Sequence, residues 1–318
     1  MSVFTSVTEA ELSAWLTRYR IGTLVEYAGI VAGIENTNYF VTTSHGRYVL
    51  TLFERLTREE LGYYLHLMAH LARHGIPCPA PVADGDDEFL GSLNGRPAAI
   101  VTRLTGHSIT APTAAHCASL GAMLAAMHVA GQSYEQRMDN PRGARWWRET
   151  APLLKPRLAP DEQTLLEEEL RFQALYRLED APRGVVHGDL FRDNVLFEGE
   201  AAARHIGGVL DFYFAGNDAL LFDLAVTAND WCADTAGDLD AARAHALLAA
   251  YHALRPLTAL ERGAWSVMLR RAALRFWLSR LQDYHLRRSG ELTHVKDPRE
   301  FRDVLRRRIR CGSNLPWI

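Results

Sequence analysis

The chain has 318 residues, of which 48% are hydrophobic, 23% are charged and 9% are aromatic. These values are typical of a soluble globular protein of one or two domains, and they exclude disorder, collagen and coiled coil as descriptions of the whole chain. The 35 Lys and Arg residues against 38 Asp and Glu residues give a net charge of −3, which predicts no general attraction to nucleic acid or to an anionic membrane.

The first hundred residues have the patterns of a small antiparallel sheet with helices beside it. Thr8 and Glu11 form a capping box at the start of a short amphipathic helix. Three segments rich in β-branched and aromatic residues then predict a meander of strands, at 24–32, 38–43 and 47–53.

A second capping box, at Thr57 and Glu60, predicts the start of a longer helix. After that helix, the dipeptide Asn94-Gly95 separates two further strand patterns. This dipeptide is the strongest short signal for a two-residue β-hairpin. The sheet is therefore expected to continue beyond the helix.

From residue 105 onwards helical patterns dominate, at 113–130, 161–180, 238–254 and 259–288. One β-rich island at 184–212 interrupts them. We therefore predict an α+β chain of two lobes. A β-rich lobe covers 1–104, and a mainly helical lobe covers 105–318.

The cysteines and the N-terminal segment indicate a cellular compartment. Cys78, Cys117, Cys232 and Cys311 are scattered without a C-x-x-C pair, which argues against a disulfide framework and a cysteine zinc site. The first residues lack a basic region followed by an apolar stretch, and no segment approaches eighteen uninterrupted apolar residues. We expect a cytoplasmic protein without a membrane span.

The most informative stretch reads HGDLFRDN from His187 to Asn194, with Asp211 leaving the next strand pattern. A carboxylate and a carboxamide five residues apart on a loop between apolar strands, followed by a second carboxylate, is the arrangement that phosphoryl transfer requires. Asp189 accepts the proton of the acceptor hydroxyl in such a site, and Asn194 and Asp211 offer the hard oxygen ligands that Mg²⁺ prefers. The alternative is that these residues only cap turns, and the flanking strands argue against it.

The same stretch resembles the catalytic loop of the aminoglycoside-phosphotransferase and choline-kinase branch of the protein-kinase-like fold, which reads H-G-D rather than H-R-D. The resemblance covers nearly the whole chain and implies a kinase that uses ATP and Mg²⁺. It also implies nucleotide binding by the lobe 1–104, and catalysis and substrate binding by the lobe 105–318. It implies Asp189 as the catalytic base, Asn194 and Asp211 as the Mg²⁺ ligands and His187 as a structural support of the loop. Arg192 either steadies the transferring phosphoryl group or is a solvated surface arginine.

Two features depart from the general pattern of that branch. The strand position of the phosphate-pairing lysine is Thr51, so either another cation serves the phosphates or Mg²⁺ has a larger role. The first hairpin loop lacks a full G-x-G-x-x-G. Gly33 with the backbone amides of Asn36, Thr37 and Asn38 either covers the phosphates or forms a plain β-turn.

Four segments make the resemblance narrower: RYVLTLFE (47–54), HLARHGIPCPAPV (70–82), LDFYFAGND (210–218) and AVTANDWC (225–232). They are similar to the bacterial homoserine kinases built on this fold, in which the strand threonine and Asp-Phe-Tyr in place of Asp-Phe-Gly are expected. The resemblance implies ATP-dependent phosphorylation of L-homoserine. The alternatives are a kinase of the same fold for choline, methylthioribose or an aminoglycoside, and a catalytically silent nucleotide-binding module. The oligomeric state is left open.

A homoserine site needs partners for a carboxylate and an ammonium group. The candidates for substrate contacts are Asn217, Asp218, Asp230, Trp231 and Arg275. Asp230 is the preferred ammonium partner, and Arg275 is the candidate for the carboxylate. Asp223 lies among apolar residues of a predicted buried helix, where a structural role is as good an explanation as a substrate contact.

A cluster of three arginines and two tryptophans occupies 142–148. Interleaved basic and aromatic residues are one signature of nucleic-acid binding. In a slightly acidic chain, however, an isolated cluster indicates a helix that packs its tryptophans and solvates its arginines.

Overall fold

The computed structural model describes residues 4–30, 36–176, 178–199, 205–286 and 296–312. These residues form two compact units. The first unit takes the residues up to Gly106 together with Gly207–Tyr213, and the second takes the remainder. The predicted division of nucleotide binding and catalysis between 1–104 and 105–318 stays a prediction.

The first unit is an antiparallel sheet with two helices. Its elements before Gly106 are α1 (Glu9–Leu16), β1 (Leu24–Gly29), β2 (Thr37–Thr43), β3 (Gly46–Leu52), α2 (Arg58–Arg73), β4 (Gly91–Leu93) and β5 (Arg96–Thr102). The strand order is β1-β2-β3-β5-β4. Asn94 and Gly95 connect β4 to β5 with φ angles of 50° and 75°, as a hairpin turn with two left-handed residues requires. The predicted meander and hairpin are confirmed.

The core of the first unit lies where α1 packs with the sheet. Thr8 caps α1 through the predicted capping box. Leu12 and Trp15 of α1 share a buried cluster with Tyr39 and Val41, which alternate along β2 with less buried neighbours. Full burial of a side chain of this kind contributes about 1.5–3 kcal/mol.

The second unit is mainly helical. Its elements are α3 (Ala114–Gly131), α4 (Ala144–Leu154), α5 (Pro160–Leu175), β6 (Arg183–Val186), β7 (Val195–Glu198), β9 (Gly216–Ala219), α6 (Leu220–Trp231), α7 (Ala241–Leu254), α8 (Ala259–Gly263), α9 (Trp265–His285) and α10 (Pro298–Cys311). Strand β8 (His205–Val209) begins in this unit and belongs to the first unit from Gly207 onwards. β6 pairs antiparallel with β9. The helix predicted at 259–288 is wrong as a single element, because the chain breaks at Ala264 into α8 and α9.

Helices α3 and α7 approach closely because α3 has a glycine at the crossing. A Cβ atom at Gly121 would collide with the carbonyl group of Leu247. Within the part of the chain that the structure describes, α3 is also the one helix long and apolar enough to cross a membrane, and 56% of it is buried inside the protein. The close crossing brings His128 of α3 and Tyr251 of α7 into contact.

Candidate active site

The segment His187–Asn194, here called the HGD loop, connects β6 to β7. The loop folds back on itself, because Phe191 N donates to the carbonyl of Asp189 at 2.8 Å and Asn194 N donates to the carbonyl of Phe191 at 3.0 Å. Leu190 and Phe191 are buried, whereas Asp189 and Asn194 are only half-buried. The apolar side chains therefore anchor the loop and leave its polar groups accessible.

Asp189 and Asn194 lie in contact across the HGD loop. The side-chain nitrogen of Asn194 donates to the carbonyl oxygen of Asp189 at 2.8 Å and approaches its Oδ2 at 3.2 Å. With its nitrogen committed to Asp189, the amide oxygen of Asn194 is the atom of this group that can ligate a cation. The structure thus brings the predicted base and one predicted metal ligand together.

Arg275 of α9 is the cation beside Asp189. Its Nη1 lies 3.7 Å from Asp189 Oδ1, and its side chain is 3% exposed against 19% for the aspartate. The guanidinium carbon lies 3.7 Å from the ring centroid of Phe276 and 5.1 Å from that of Phe214. A predicted substrate ligand therefore lies next to the predicted base.

A buried carboxylate binds the backbone of the HGD loop. Asp223 of α6 accepts the backbone N–H of His187 at 2.7 Å with one oxygen and that of Gly188 at 2.9 Å with the other. Burial by itself raises the pKa of Asp223, but the hydrogen bond and charge of His128 and the contacts of His187 outweigh it and hold the pKa below its usual range. Asp223 is therefore ionised at neutral pH and acts as an anchor for the loop.

His128 connects this carboxylate to Tyr251. His128 Nε2 lies 3.1 Å from Asp223 Oδ2, and Nδ1 lies 2.7 Å from the Tyr251 hydroxyl. Burial raises the pKa of Tyr251, so the phenol keeps its proton. The imidazole of His128 therefore links the Asp223 carboxylate to a neutral phenol, with one ring nitrogen in contact with each.

Gly188 takes a backbone conformation that other residues avoid. Its φ angle is +77°, and a Cβ atom there would lie 2.7 Å from the carbonyl oxygen of Phe214. The neighbouring His187 is completely buried, and its Nδ1 accepts the backbone N–H of Asp189 at 3.2 Å. The glycine of the motif is therefore a steric requirement of the loop.

Arg192 and Asp230, predicted for separate roles, form an ion pair. Arg192 donates to Asp230 from its backbone N at 2.8 Å and from Nε and Nη2 at 3.1 and 3.2 Å. Arg192 Nη1 also donates to the carbonyl of Thr110 at 3.0 Å. Burial raises the pKa of Asp230, against the opposing charge and hydrogen bonds of Arg192. The pair fastens the end of the HGD loop to α6.

The remaining predicted substrate residues lie in structural contacts. Trp231 is completely buried, and its indole N–H donates to the carbonyl of Leu190 at 3.1 Å. Asn217 and Asp218 lie in β9, which pairs with β6. The structure thus places the Trp231 indole against the backbone of the HGD loop, and its predicted contact with substrate stays a prediction.

The predicted nucleotide residues lie in the first unit. Thr51 of β3 is buried, and its hydroxyl donates to the side-chain oxygen of Asn38 in β2 at 2.7 Å. At the strand position where a lysine is expected, Thr51 therefore forms an uncharged hydrogen bond with Asn38 of the adjacent strand. Gly33 lies outside the described residues.

Thr37 and Asn36 contact the start of the chain and the end of β3. Thr37 is completely buried, accepts the backbone N–H groups of Phe4 and Thr5, and donates to Glu54 at 2.9 Å. The side-chain oxygen of Asn36 accepts from the backbone N of Glu54 at 3.4 Å. The Thr37 side chain is therefore committed to a local network.

Asp211 follows β8 in the first unit, with an exposed side chain and a φ angle of 61°. Left-handed backbone is uncommon for a residue other than glycine and often marks a functional position. Nearby Tyr213 packs edge-on against Phe53 and Tyr64. Burial, with the Asp211 charge as a smaller cause, raises the pKa of Tyr213.

Comparison with known proteins decides the family. The sequence profile described as "Phosphotransferase enzyme family" matches residues 26–257. The chain belongs to this phosphotransferase family. Its relatives include the homoserine kinase of Cupriavidus necator, 51% identical with 100% of both chains covered, and that of Methylobacillus flagellatus, 50% identical with 100% of this chain and 99% of the relative covered. The resemblance to the homoserine kinases is confirmed.

Solved structures of distant phosphotransferases share the fold. An amicoumacin kinase in complex with AMP-PNP, Ca²⁺ and Ami has a TM-score of 0.69 at 16% identity, over 98% of this chain and 95% of that one. A spectinomycin phosphotransferase in complex with ADP and spectinomycin has a TM-score of 0.68 at 12% identity, over 98% and 99%. The predicted α+β, protein-kinase-like fold class is confirmed.

Sequence reasoning missed the partners of Asp223 in this phosphotransferase. His128 lies in a helix that reads as uniformly apolar, and Tyr251 lies 123 residues further along the chain. A histidine in the last turn of an apolar helix was the available signal, because such a side chain, when buried, needs a hydrogen-bond partner. The identity of that partner depends on the crossing of α3 and α7.

Proposed function

We propose that the chain transfers the γ-phosphoryl group of ATP to the side-chain hydroxyl of L-homoserine, which yields O-phospho-L-homoserine and ADP, a step of threonine biosynthesis. The observation that carries the proposal is the identity of about 50% to homoserine kinases over the full chain. Retention of Asp189, Asn194 and Asp211 argues against a silent nucleotide-binding module.

Asp189 is the proposed catalytic base. Its side chain is held by Asn194 on one oxygen and faces Arg275 on the other, so the carboxylate is oriented before the acceptor arrives. In the reaction the homoserine hydroxyl loses its proton to Asp189 while its oxygen bonds to the γ-phosphorus. The bond from that phosphorus to the bridging oxygen breaks, and ADP leaves.

Asn194 and Asp211 are the proposed Mg²⁺ ligands. Among the described residues no group of three or more His, Cys, Asp or Glu side chains is arranged to hold a metal. This fits Mg²⁺, which in kinases takes one or two protein oxygens together with phosphates and water. When bound, Mg²⁺ neutralises charge on the nucleotide phosphates.

Removal of either ligand is expected to change the magnesium dependence of the enzyme. Asp211→Ala removes a charged ligand, so the Mg²⁺ concentration for half-maximal activity should rise by about tenfold or more, the scale of a lost charged contact. Asn194→Ala removes a neutral ligand and should raise it less. Titration of Mg²⁺ at fixed ATP measures both, and an unchanged magnesium dependence in Asp211→Ala would contradict its role.

Other predicted site residues are proposed to support the HGD loop. The HGD loop backbone is held by the pair of Arg192 with Asp230 and by the indole of Trp231. Because Asp230 serves this role, the group that binds the ammonium of the substrate is left unassigned. At the lysine position, Thr51 gives no charge to the phosphates, so we propose that Mg²⁺ carries more of their neutralisation. Backbone amides near Gly33, Asn36, Thr37 and Asn38 remain the proposed phosphate contacts.

The substrate is a small molecule. We propose that the enzyme works in the cytoplasm and that neither nucleic acid nor membrane is a partner, because the chain carries a balanced charge. The free thiols of Cys78, Cys117, Cys232 and Cys311 agree with a reducing compartment.

An ADP-release screen with Mg²⁺-ATP tests the substrate. L-Homoserine should give by far the highest kcat/KM among homoserine, serine, threonine, choline, methylthioribose and kanamycin. Serine is one methylene shorter, and misplacement of a reacting atom by about 1 Å costs on the order of a hundredfold in rate. If the enzyme phosphorylates choline or kanamycin but not homoserine, the assignment as a kinase stands and the assignment of homoserine as its substrate is refuted.

A further inference from the structure

The segment before α4 is fixed to β9 by hydrogen bonds from both sides. Asn217 N donates to the carbonyl of Met138 at 2.6 Å, and Asn217 Oδ1 accepts from Met138 N at 3.1 Å. The side chain of Asn140 donates to Asp218 Oδ2 at 2.8 Å. Two residues predicted to contact substrate thus hold this segment in place.

That segment positions Arg142. The backbone N of Arg142 donates to Asn140 Oδ1 at 2.8 Å, and the Arg142 carbonyl accepts the indole N–H of Trp147 at 2.7 Å. Arg142 is half-buried, so the expectation of a solvated arginine is wrong for this member of the cluster. Arg145, one turn away, is 88% exposed and pairs with Glu149 at 3.0 Å, as expected.

The Arg142 side chain packs against the same aromatic ring as Arg275. Its guanidinium carbon lies 4.6 Å from the ring centroid of Trp146 and 5.5 Å from that of Phe214, and its Nη1 donates to Gln282 of α9 at 3.2 Å. Arg275 lies 5.1 Å from the same Phe214 ring. Phe214 thus has two guanidinium groups within 5.5 Å, one of which faces the proposed base.

Two such groups suit a carboxylate. A guanidinium that lies over an aromatic ring has its N–H groups around its edge, and this planar fork matches the two oxygens of a carboxylate. We propose that Arg142, together with Arg275, binds the carboxylate of the acceptor and restricts the enzyme to hydroxylated amino acids. The inference rests on the proposed function and adds Arg142 as a specificity-determining residue.

The test compares Arg142→Gln with the matched control Arg145→Gln on two acceptors. L-Homoserine carries the carboxylate, and L-homoserine amide has a neutral carboxamide in its place. Arg142→Gln should lower kcat/KM for homoserine by about tenfold to a hundredfold, mainly through KM, the scale of a lost hydrogen bond between charged groups. It should change kcat/KM for the amide by less than about twofold, and Arg145→Gln should change neither.

Equal losses on both acceptors, or no loss on homoserine, would overturn the proposal. Where the amide turns over too slowly, its inhibition constant against homoserine replaces kcat/KM. Arg142→Lys keeps the positive charge but loses the planar guanidinium, and this variant tests the proposal if Arg142→Gln fails to fold. It should raise the homoserine KM severalfold with the amide unaffected. If the wild-type enzyme does not phosphorylate homoserine, the proposed function itself is refuted before any variant is made.

Discussion

Asp189→Asn should lower kcat by about two to four orders of magnitude, the usual contribution of a general base, while the KM for ATP changes little. An amide keeps the size of the side chain but takes no proton from the homoserine hydroxyl. It also replaces a carboxylate oxygen that accepts from Asn194 and another that faces Arg275. Steady-state kinetics with saturating Mg²⁺ measure the change.

Asp193 provides a control from the same loop. Its side chain is 61% exposed and pairs with Lys296 at 2.9 Å, so Asp193→Asn removes the same charge from the HGD loop without touching Asp189. The control should stay within about twofold of wild type, because exposed ion pairs contribute little. If Asp189→Asn turns over substrate nearly as fast as Asp193→Asn, Asp189 is not the catalytic base.

Asp223→Ala should lower the free energy of unfolding by roughly 3–5 kcal/mol, the cost of breaking a buried charged network. The change leaves the N–H groups of His187 and Gly188 and the imidazole of His128 buried without their acceptor. Urea denaturation measures the loss, with Asp303→Asn as the control. Asp303 is 50% exposed beside Arg302, so its removal should cost no more than about 1 kcal/mol. Equal losses in the two variants would contradict the anchor role.

The same carboxylate predicts a pH dependence of stability. Because folding lowers the pKa of Asp223, the folded state favours its ionised form. The stability from Asp223 is therefore fully present above the unfolded pKa of about 4 and is lost as pH falls through the lower pKa of the folded state. Asp223→Ala should accordingly lose less of its remaining stability than wild type when the protein is acidified below about pH 4.

Much of the first unit follows from local signals. The capping boxes at Thr8 and Thr57 and the Asn94-Gly95 turn are set by neighbouring residues, and the structure confirms them. β9 was missed because Gly216–Ala219 has poor strand propensity and pairs only because β6 lies beside it. α10, also missed, carries a capping aspartate and Pro298 at its start, a signal that many arginines in the helix obscured.

In the candidate site, too, the features that depend on neighbouring residues were predictable and the contacts between distant residues were not. The pattern from His187 to Asn194 was visible in the sequence because its spacing is local, and the structure places Asp189 against Asn194. The contacts of Arg192 with Asp230 and of Arg142 with Phe214 join positions 38 and 72 residues apart. Such contacts depend on how distant segments pack in the folded chain, so no spacing rule predicts them.

The most direct test of the central claim is the identity of the product. The wild-type enzyme, incubated with Mg²⁺-ATP and L-homoserine, should form one phosphomonoester on the side-chain oxygen for each ADP released, as observed by phosphorus NMR and mass spectrometry. Release of ADP with inorganic phosphate alone, or a product that hydroxylamine cleaves as an acyl phosphate, would contradict the account.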